Sequence, residues 1–538
     1  MAPPTSLFAN WTHLVGLIWR RDRWSLPVWV LSVSAFCAGM VPAMPSIAGT
    51  PEELAATGVM MGNPAMVAMC GLLYGDAPSL GIIYTQMMLV WSAMLVAVMN
   101  ILLVVRHTRA DEDEGRLEVI RSLPVGRLSS LAAITAVMLG VNLLVALMTG
   151  LGMAAFGVAS IDLAGSLVYG AALGVCGALF AVVALVAIQL AGSAQAATGA
   201  SLVVLGLFYL LRAYGDVSSE TAARLSPFGL IQRTFPFYVD RWWPVGVLFG
   251  VSLVGLAAAT LGNARRDPGA GLLPSRRPRR AHASAWLADE WGLAWRLNRS
   301  VVLAWWATAL VFAAAYGIVM NSLEDFVLSN PLYQQIMGID GTTGAGATGA
   351  IVSMLLLIMA ILAIIPVLTV TSRLVSEERY GRMDYVLGHT VARGRLFAGY
   401  AGAAAVAAAG MQLATAASFW LVSSAVMTTP VKASVVFGIA ANHLAGVLVY
   451  GGLGLLLAGA AKRLAWLAWA YLGATFLVAY LGDALHLPRW AHRLTPFGLL
   501  SRYPPDLIRW GPWFGLLAVS VVLTLLGLLA YRRRDVTP

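Results

Sequence analysis

The sequence predicts an all-α polytopic membrane protein with twelve transmembrane helices, and three observations lead to this fold class. Hydrophobic residues make up 59 % of the 538 residues and charged residues only 11 %, whereas soluble domains carry roughly 25 % charged residues. Apolar runs long enough to cross a bilayer, which takes about 20 residues, follow one another along the whole chain. The chain also repeats its landmarks in the same order after 266 to 276 residues. Because backbone polar groups have no water partners in lipid, the spans must be helices.

The predicted spans fall into two sets of six. The first set covers residues 25–46, 82–105, 128–156, 164–191, 196–212 and 242–263. The second set covers residues 300–320, 348–372, 396–424, 433–459, 463–483 and 512–531. Since six is even, both sets enter the membrane in the same orientation, and a pseudo-twofold axis along the membrane normal should relate the two six-helix halves. We expect a first half over residues 1–263, a basic linker over 264–284 and a second half over 285–538.

Each half is expected to open with a helix that lies in the membrane interface, because apolar residues recur there at helical spacing. In the first half these residues are Phe8, Trp11, Leu14, Val15 and Ile18, and in the second half they are Leu287, Trp291, Ala294 and Trp295.

The net charge of +10 comes from 33 Arg and two Lys against 25 acidic residues. In a soluble protein this balance would suggest nucleic acid, but here the distribution of the charges predicts a topology. With the N-terminus inside, nine basic residues lie outside and 26 inside, as the positive-inside rule requires. We therefore expect a bacterial cell-membrane protein with both termini and the linker in the cytoplasm, and no nucleic-acid partner. The linker would rest on anionic membrane lipid.

Signatures of catalysis are absent from the sequence. No His is followed by Glu and no Lys follows Gly, so neither a His-Glu-x-x-His zinc site nor a P-loop is present. The scattered Cys37, Cys70 and Cys176 predict neither a disulfide framework nor a metal site. We expect no enzymatic activity, metal or cofactor in this chain. His443 is the only clear ionisable residue within the predicted spans, and the lack of carboxylates there argues against proton-driven transport.

An acidic cluster follows the second span of each half. The first acidic loop (residues 109–121) and the second acidic loop (residues 377–387) continue with Gly-Arg and a short segment with apolar residues at helical spacing. These apolar residues are Leu117, Ile120 and Leu123 in the first copy, and Met383, Val386 and Leu387 in the second. A soluble partner can grip such a helix by its apolar stripe and by ion pairs to its carboxylates. The alternative is a solvated charged loop, but two copies at matched positions favour docking.

The candidate docking residues are Glu112, Glu114, Gly115, Arg116 and Glu118, with Glu378, Gly381, Arg382 and Asp384. On this hypothesis, changing Glu112 and Glu378 to Arg would release the partner and leave the membrane fold intact.

A second duplicated motif precedes the sixth span of each half. Arg-Leu-Ser-Pro-Phe-Gly-Leu at residues 224–230 returns as Arg-Leu-Thr-Pro-Phe-Gly-Leu at residues 493–499. Ser226 and Thr495 are good N-caps, and a proline suits the first helical position that follows. We expect a short helix on the outer side, acting either as a capped turn or as an outer gate. The residues of this gate would be Pro227, Phe228 and Gly229, with Pro496, Phe497 and Gly498.

With these two duplicated motifs, the chain resembles the fused twelve-span permeases of the type-2 ABC exporter superfamily, and more narrowly the polyketide-antibiotic exporters of the tetronasin-efflux type. The resemblance covers essentially the whole chain. It implies two copies of a cytoplasmic P-loop ATP-binding subunit, which hold ATP and Mg²⁺, and it makes the acidic loops coupling helices. Residues 387–390 (Leu-Gly-His-Thr) stand where the first copy has 121–124 (Arg-Ser-Leu-Pro), so the two docking sites are expected to differ in strength.

The resemblance also implies a substrate passage between the halves, lined by their second and fifth spans. Its residues would be Gln86, Met87, Trp91, Met94 and Phe208 from the first half, and Met354, Ile358, Phe476 and Tyr480 from the second. Methionine and aromatic side chains suit bulky apolar compounds. The alternative for each of them is packing against neighbouring helices or lipid.

The sequence therefore predicts the permease subunit of an ATP-driven ABC exporter for hydrophobic or amphipathic compounds such as antibiotics or drugs, with a role in multidrug resistance. A membrane scaffold or ligand-sensing subunit that docks an ATPase without transport is the alternative from another class. An ion-coupled exporter is the third hypothesis. ATPase activity that rises with a drug favours the first, and dependence on a pH gradient favours the third.

Overall fold

A computed structural model describes residues 7–47, 49–75, 77–267, 269–273, 287, 289–329, 344–388, 391–427, 429–481, 488–501 and 508–534. Within these ranges the regular elements are α-helices and short 3-10 helices, without a strand. The chain forms two compact units, Met1–Arg279 and Arg280–Pro538. The division between the units falls in the stretch expected to be a basic linker.

The first unit contains fourteen α-helices in its described residues, and a 3-10 helix over Val41–Ala43. The α-helices are α1 (Trp11–Arg21), α2 (Ser25–Gly39), α3 (Met44–Ile47), α4 (Pro51–Met61), α5 (Pro64–Cys70), α6 (Leu80–Arg106), α7 (Arg109–Asp113), α8 (Arg116–Arg121), α9 (Ser129–Ala154), α10 (Leu163–Leu190), α11 (Ala194–Ser218), α12 (Glu220–Arg224), α13 (Pro227–Gln232) and α14 (Trp243–Arg265).

The second unit contains nine α-helices in its described residues, and a 3-10 helix over Lys462–Leu464. The α-helices are α15 (Glu290–Ser329), α16 (Gly344–Arg379), α17 (Arg382–Leu387), α18 (Arg393–Val426), α19 (Ala433–Ala460), α20 (Trp466–Leu481), α21 (Arg489–Arg493), α22 (Pro496–Leu499) and α23 (Trp510–Arg533).

Eleven helices in the described part of the chain are long and apolar enough to cross a membrane, where the sequence predicted twelve spans. The eleven follow the predicted order and positions. The remaining predicted span, residues 463–483, corresponds to α20, of which the structure describes 16 residues; this described length is below the usual crossing length of about 20. Some helices also run past the predicted ends. The fifth span, predicted to end at residue 212, continues to Ser218.

The same pairs of spans pack together in both units. In the first unit α10 lies against α6, α9 and α14, and α2 lies against α9. In the second unit α19 lies against α16, α18 and α23, and α15 lies against α18. The fourth spans, α10 and α19, are therefore the central helices of their units. Small residues permit this close packing: a Cβ at Gly170 of α10 would overlap the carbonyl oxygen of Ala146 of α9.

Two buried amides join the second span of the first unit to its third. Nδ2 of Asn100 in α6 donates to Oδ1 of Asn142 in α9 at 2.9 Å, and Nδ2 of Asn142 donates back to Oδ1 of Asn100 at 2.8 Å. Gly177 of α10 faces this pair, since a Cβ there would overlap Oδ1 of Asn142. The reciprocal hydrogen bonds fix the register of α6 against α9, because an unpaired amide among apolar helices costs free energy.

The two units begin differently. In the first, the chain breaks between α1 and α2 at Asp22, a buried residue whose Oδ1 lies 3.0 Å from Nη2 of Arg106 and whose Oδ2 contacts Nε2 of His107. The repeat-equivalent residue, Asn298, instead donates Nδ2 to the carbonyl of Ala294, one turn earlier, at 2.9 Å. Helix α15 therefore continues without a break for 40 residues. The helix expected at the start of the second half is the first part of α15, whereas α1 is a helix of its own. The location of both in the membrane interface stays a prediction.

Candidate functional site

Each acidic loop contains a short helix that begins at a glycine in the left-handed conformation. Gly115 has φ 73° and precedes α8, and Gly381 has φ 68° and precedes α17. Glycine adopts this conformation without the steric cost that a Cβ brings. The chain can therefore turn sharply after the second span and start a new helix. The Gly-Arg pairs of the sequence thus mark the same backbone turn in both units.

In the first unit, Glu112 ties the acidic loop to the end of the sixth span. Its Oε2 lies 2.7 Å from Nη2 of Arg266, the residue that follows α14, and 3.0 Å from Nη1 of Arg109. Its Oε1 accepts the backbone N–H of Gly269 at 2.6 Å. The Glu112 side chain is only 6 % exposed. Its carboxylate therefore binds groups of its own unit and is not open to a partner at the surface.

Glu378 makes the equivalent ion pair in the second unit. Nη2 of Arg534, the residue that follows α23, lies 2.6 Å from both carboxylate oxygens of Glu378, and this side chain is 0 % exposed. We expected Glu112 and Glu378 to offer their carboxylates to a partner. The structure instead encloses both in ion pairs with their own units, so changing them to Arg would place like charges together in buried positions and disturb the fold.

The sequence itself indicates this ion pair between glutamate and arginine, because both partners occur in each of the two tandem copies. Arg265-Arg266-Asp267 after the sixth span of the first half returns as Arg533-Arg534-Asp535 in the second. The acidic residues repeat at an offset of 266 and the basic residues at 268. Because the acidic and the basic residues are duplicated at nearly the same offset, they are candidates for an ion pair that forms once in each unit.

The arginines of the Gly-Arg pairs also bind acids of their own loops. Nε of Arg116 lies 3.1 Å from Oδ1 of Asp111. In the second unit, Nε of Arg382 lies 2.6 Å from Oε2 of Glu377, and this hydrogen bond raises the pKa of the Arg382 guanidinium. Both arginines therefore fold the start of the short helix back onto the preceding turn.

The apolar stripe faces its own unit in the second copy but only in part in the first, where Leu117 and Ile120 are half-buried and Leu123 is 57 % exposed. Met383 is buried, and Val386 and Leu387 pack against the core of the second unit. One further position, which repeats at an offset of 266, exposes a large apolar or aromatic side chain in both copies: Val119 on α8 is 69 % exposed and Tyr385 on α17 is 83 % exposed. The stripe that we expected a partner to grip is thus covered in the second copy and open at Leu123 in the first. Val119 and Tyr385, absent from our candidates, are the exposed large apolar or aromatic side chains within the two helices.

The remaining docking candidates lie at the surface beside these positions. Glu114, Glu118 and Asp384 are exposed. Docking itself stays a prediction, now restricted to the outer faces of α8 and α17.

The Pro-Phe-Gly-Leu segments form short helices with the predicted caps. Oγ of Ser226 accepts the N–H of Phe228 at 3.2 Å, and Oγ1 of Thr495 accepts the N–H of Gly498 at 3.1 Å. The prolines occupy the first turns of α13 and α22. This local conformation is therefore confirmed in both units.

Both segments pack against the fourth span of their own unit. The ring of Phe228 stacks on that of Phe180 in α10, with 5.5 Å between centroids. The ring of Phe497 meets His443 of α19 edge-on at 5.9 Å and lies against Gly446. Pro227, Phe228, Gly229, Pro496 and Phe497 are buried, while Gly498 is exposed. A role as a gate stays a prediction, and it would require these contacts to break.

The predicted passage residues have varied surroundings. Nε2 of Gln86 donates to the carbonyls of Met61 at 2.7 Å and Gly71 at 2.8 Å, so this buried amide holds the segment that precedes α6. Trp91 lies against Tyr209 of α11, with 6.2 Å between ring centroids.

Of the other passage residues, Met94 and Phe208 pack against the core of the first unit. Met87 and Ile358 are half-buried, and Met354 and Phe476 are exposed. The side chain of Tyr480 lies outside the described part. The second and fifth spans do pack side by side within each unit, and contact of these residues with a substrate stays a prediction.

One buried charge cluster departs from the expectation of carboxylate-free spans. Because α11 extends to Ser218, it includes both Arg212 and Asp216, whose side chains are 0 % exposed. Nη1 of Arg212 lies 3.4 Å from Oδ2 of Asp216 and donates to the carbonyl of Val67 at 3.2 Å. Arg233 approaches the same carboxylate at 3.9 Å. The cluster joins α11 to the α5 and α13 segments, and it was missed because the predicted span ended too early.

The fold and its paired motifs define a polytopic α-helical protein of two similar units, in whose described residues eleven helices are long and apolar enough to cross a membrane. The family described as "Multidrug efflux system permease Rv1217c, C-terminal domain" matches residues 12–263 and 287–532. The chain is 33 % identical over 542 residues to the multidrug efflux system permease protein Rv1217c of Mycobacterium tuberculosis (strain ATCC 25618 / H37Rv), with 98 % of this chain and 96 % of that protein covered. The chain therefore belongs to the family of Rv1217c-like multidrug efflux system permeases.

Proposed function

We propose that this chain is the transmembrane subunit of a type-2 ABC exporter, of the tetronasin-efflux kind, for hydrophobic or amphipathic compounds such as antibiotics. Two copies of a separate cytoplasmic ATP-binding subunit would hold ATP and Mg²⁺ and supply the energy. The chain would lie in the bacterial cell membrane with both termini in the cytoplasm. Its twelve spans would form two halves related by a pseudo-twofold axis. Membership in the efflux permease family supports the transport function.

The observation that carries this proposal is the duplicated short helix after the second span. Both copies begin at a left-handed glycine, and in each unit the segment just before that glycine is tied to the end of the sixth span by a buried ion pair. Both also expose one side chain at the same repeat position, Val119 and Tyr385. A rigid helix that exposes a side chain beside charged residues suits a docking contact with a soluble subunit. Two such helices suit two copies of that subunit.

The ion pairs would carry motion from the docked subunit into the membrane. Glu112 lies in α7, just before α8, and Glu378 lies at the end of α16, just before α17. Displacement of each short helix would act through this preceding segment, by way of Glu112 on Arg266 and Glu378 on Arg534. Separating one partner from a buried pair costs about 3–5 kcal/mol, so each loop and the end of its sixth span should move as one body. The Pro-Phe-Gly-Leu segments lie before the opposite ends of the same spans. The sixth spans would thus connect the docking helices to the proposed gate.

Purification of the tagged chain from its native membrane tests the proposal. We expect a P-loop ATPase at two copies per chain, with ATPase activity that rises when a hydrophobic drug is added. Val119→Asp with Tyr385→Asp places a charge on each exposed contact and should release the ATPase. Leu273→Asp is the matched control, because Leu273 is similarly exposed at 61 % but lies outside both loops.

The docking assignment is wrong if the double variant keeps the ATPase at wild-type stoichiometry. A bound ATPase whose activity ignores drugs, together with absent drug transport, would favour the scaffold or sensor function instead. Transport that follows a pH gradient would favour an ion-coupled exporter. Asp216 gives little support to that third hypothesis, because its carboxylate is already engaged by Arg212 and Arg233.

A further inference from the structure

A cavity of about 360 Å³ opens in the first unit between α1, the first acidic loop and the start of α9. Its volume falls in the range of about 300–1,000 Å³ that is typical of small-molecule sites. Six lining residues are apolar: Leu14, Leu17, Ile18, Val119, Ile120 and Ala133. The other five, which we call the polar wall, are Arg21, His107, Asp111, Arg116 and Ser130. The lining thus offers both apolar and polar groups, as an amphipathic ligand requires.

The polar wall carries more positive than negative charge. Nη1 of Arg21 donates to both carboxylate oxygens of Asp111, at 2.8 and 2.7 Å, and Nε of Arg116 lies 3.1 Å from the same carboxylate. One acid therefore holds two guanidinium groups in place, and Arg116 also contacts Glu114 outside the cavity. His107 is engaged by the buried Asp22. Because the arginine side chains remain 30 % and 45 % exposed, they keep donors for an anion.

The position of α1 sets the level of the cavity. This helix is amphipathic, and Trp11, Trp19 and Trp24 on and beside it are exposed. Tryptophan concentrates at the boundary between lipid headgroups and acyl chains, so α1 should lie in that layer. Leu17, which lines the cavity from α1, is 50 % exposed. An uncovered leucine at this level faces lipid.

We propose that this cavity binds one anionic phospholipid of the leaflet in which α1 lies. Its acyl chains would cover Leu17 and Ile18, and its phosphate would bind Arg21 and Arg116. A phospholipid supplies both parts of the required chemistry, an apolar chain and an anionic head beside basic residues at the membrane surface. Since Val119 and Arg116 belong to the first acidic loop, bound lipid would also fix the position of α8.

The site belongs to the first unit. The repeat-equivalent of Arg21 is Leu297, which cannot bind a phosphate. The equivalent of Asp111 is Glu377, which binds Arg382 at 2.6 Å and Arg373 at 3.4 Å within its own loop. The two units therefore differ in their lipid contacts while they share the Glu–Arg ion pair. The second unit supplies a natural control for the experiment.

The test uses the purified full-length chain alone, without ATP or a partner, so its outcome does not depend on the proposed transport function. The chain is reconstituted in nanodiscs of a zwitterionic phospholipid, and phosphatidylglycerol is titrated in while bound lipid is measured by native mass spectrometry. Leu17→Glu places a negative charge at the mouth of the cavity, on a half-exposed side chain that should tolerate it. We expect about fivefold weaker retention of phosphatidylglycerol. Leu17→Gln should retain much more, because it adds no charge.

The matched control is Leu293→Glu, at the repeat-equivalent position in the second unit, which should retain phosphatidylglycerol at the wild-type level. Equal losses in Leu17→Glu and Leu293→Glu would overturn the proposal, because they would indicate a general surface effect. Equal retention of zwitterionic and anionic lipid would overturn its charge selectivity. Unchanged lipid retention in Leu17→Glu would also overturn the proposal, and loss of the ATPase from this variant in the native-membrane purification described above would then assign the cavity to the protein partner.

Discussion

Nη2 of Arg534 lies 2.6 Å from both carboxylate oxygens of Glu378, and this ion pair joins the residue after the sixth span of the second unit to the end of its second span. The first unit repeats the arrangement with Arg266 and Glu112 at 2.7 Å. A bond that duplicates together with the fold indicates that the acidic loops are fixed parts of the membrane domain. Mutations that test docking should therefore target the exposed Val119 and Tyr385 and not the buried Glu112 and Glu378.

The Glu378–Arg534 pair should contribute strongly to stability. Removing one partner of a buried ion pair costs about 3–5 kcal/mol, because the other charge is left uncompensated. Glu378→Gln should therefore lower the melting temperature of the purified chain by about 5 °C or more, as measured by fluorescence-detected thermal unfolding. Glu378→Gln combined with Arg534→Gln should recover most of the loss. Asp384→Asn, in an exposed position of the same loop, is the control and should change stability by less than about 0.5 kcal/mol.

Substitution of the left-handed glycines should loosen the short helices without unfolding the spans. A Cβ in this conformation costs roughly 1–2 kcal/mol, so Gly115→Ala and Gly381→Ala should each weaken the helix that follows. Hydrogen–deuterium exchange should show faster amide exchange over α8 or α17, with the spans unchanged. Gly140→Ala is the matched control, because Gly140 lies in α9 with open space around it. Unchanged exchange in both loop variants would contradict the role of these glycines.

The glycines of the Pro-Phe-Gly-Leu segments should tolerate no side chain. A Cβ at Gly229 would overlap the carbonyl oxygen of Ala223, and one at Gly498 would overlap that of His492. Overpacking of this kind typically costs 1–3 kcal/mol, so both Ala variants should lower the melting temperature and disturb transport. Gly250→Ala, in α14 with nothing within 4 Å, should leave both unchanged. If the Ala variants of Gly229 and Gly498 both keep the wild-type melting temperature, the segments move to make room for the added Cβ and the prediction is wrong.

The amide pair of Asn100 and Asn142 should show energetic coupling. Asn142→Leu leaves the Asn100 amide without its partner, which should cost about 0.6–2 kcal/mol among membrane helices. Asn100→Leu should cost a similar amount, and the double variant less than the sum of the two. A double-mutant cycle on thermal unfolding measures this coupling. Strict additivity would mean that the two amides do not depend on each other.

The order and position of the spans follow from the sequence because the bilayer imposes a length and an apolar composition that single segments display. The capped Pro-Phe-Gly-Leu helices also follow from it, since Ser226 and Thr495 act on residues two or three positions away. Properties of this kind depend on residues that are close together along the chain, so they can be predicted from the sequence.

Properties that depend on distant residues were not predicted. The break at Asp22 requires Arg106 and His107, which lie more than 80 positions later. The burial of Glu112 requires Arg266, 154 positions away. Charge in a loop is visible in the sequence, but whether that charge faces solvent or an arginine of another span depends on how the helices pack. The same limit applies to the outward position of Val119 and Tyr385, because exposure is decided by what covers the other faces.

The difference between a broken and a continuous first helix has a mechanical consequence. With a rise of 1.5 Å per residue, the 40 residues of α15 form a rod about 60 Å long, longer than a bilayer is thick. When such a rod tilts about its middle, its two ends move in opposite directions. The first unit is interrupted at Asp22 instead, so the same motion would act on two shorter helices, α1 and α2. A pair of spectroscopic labels across each N-terminal segment should therefore report a bend in the first unit and a swing in the second.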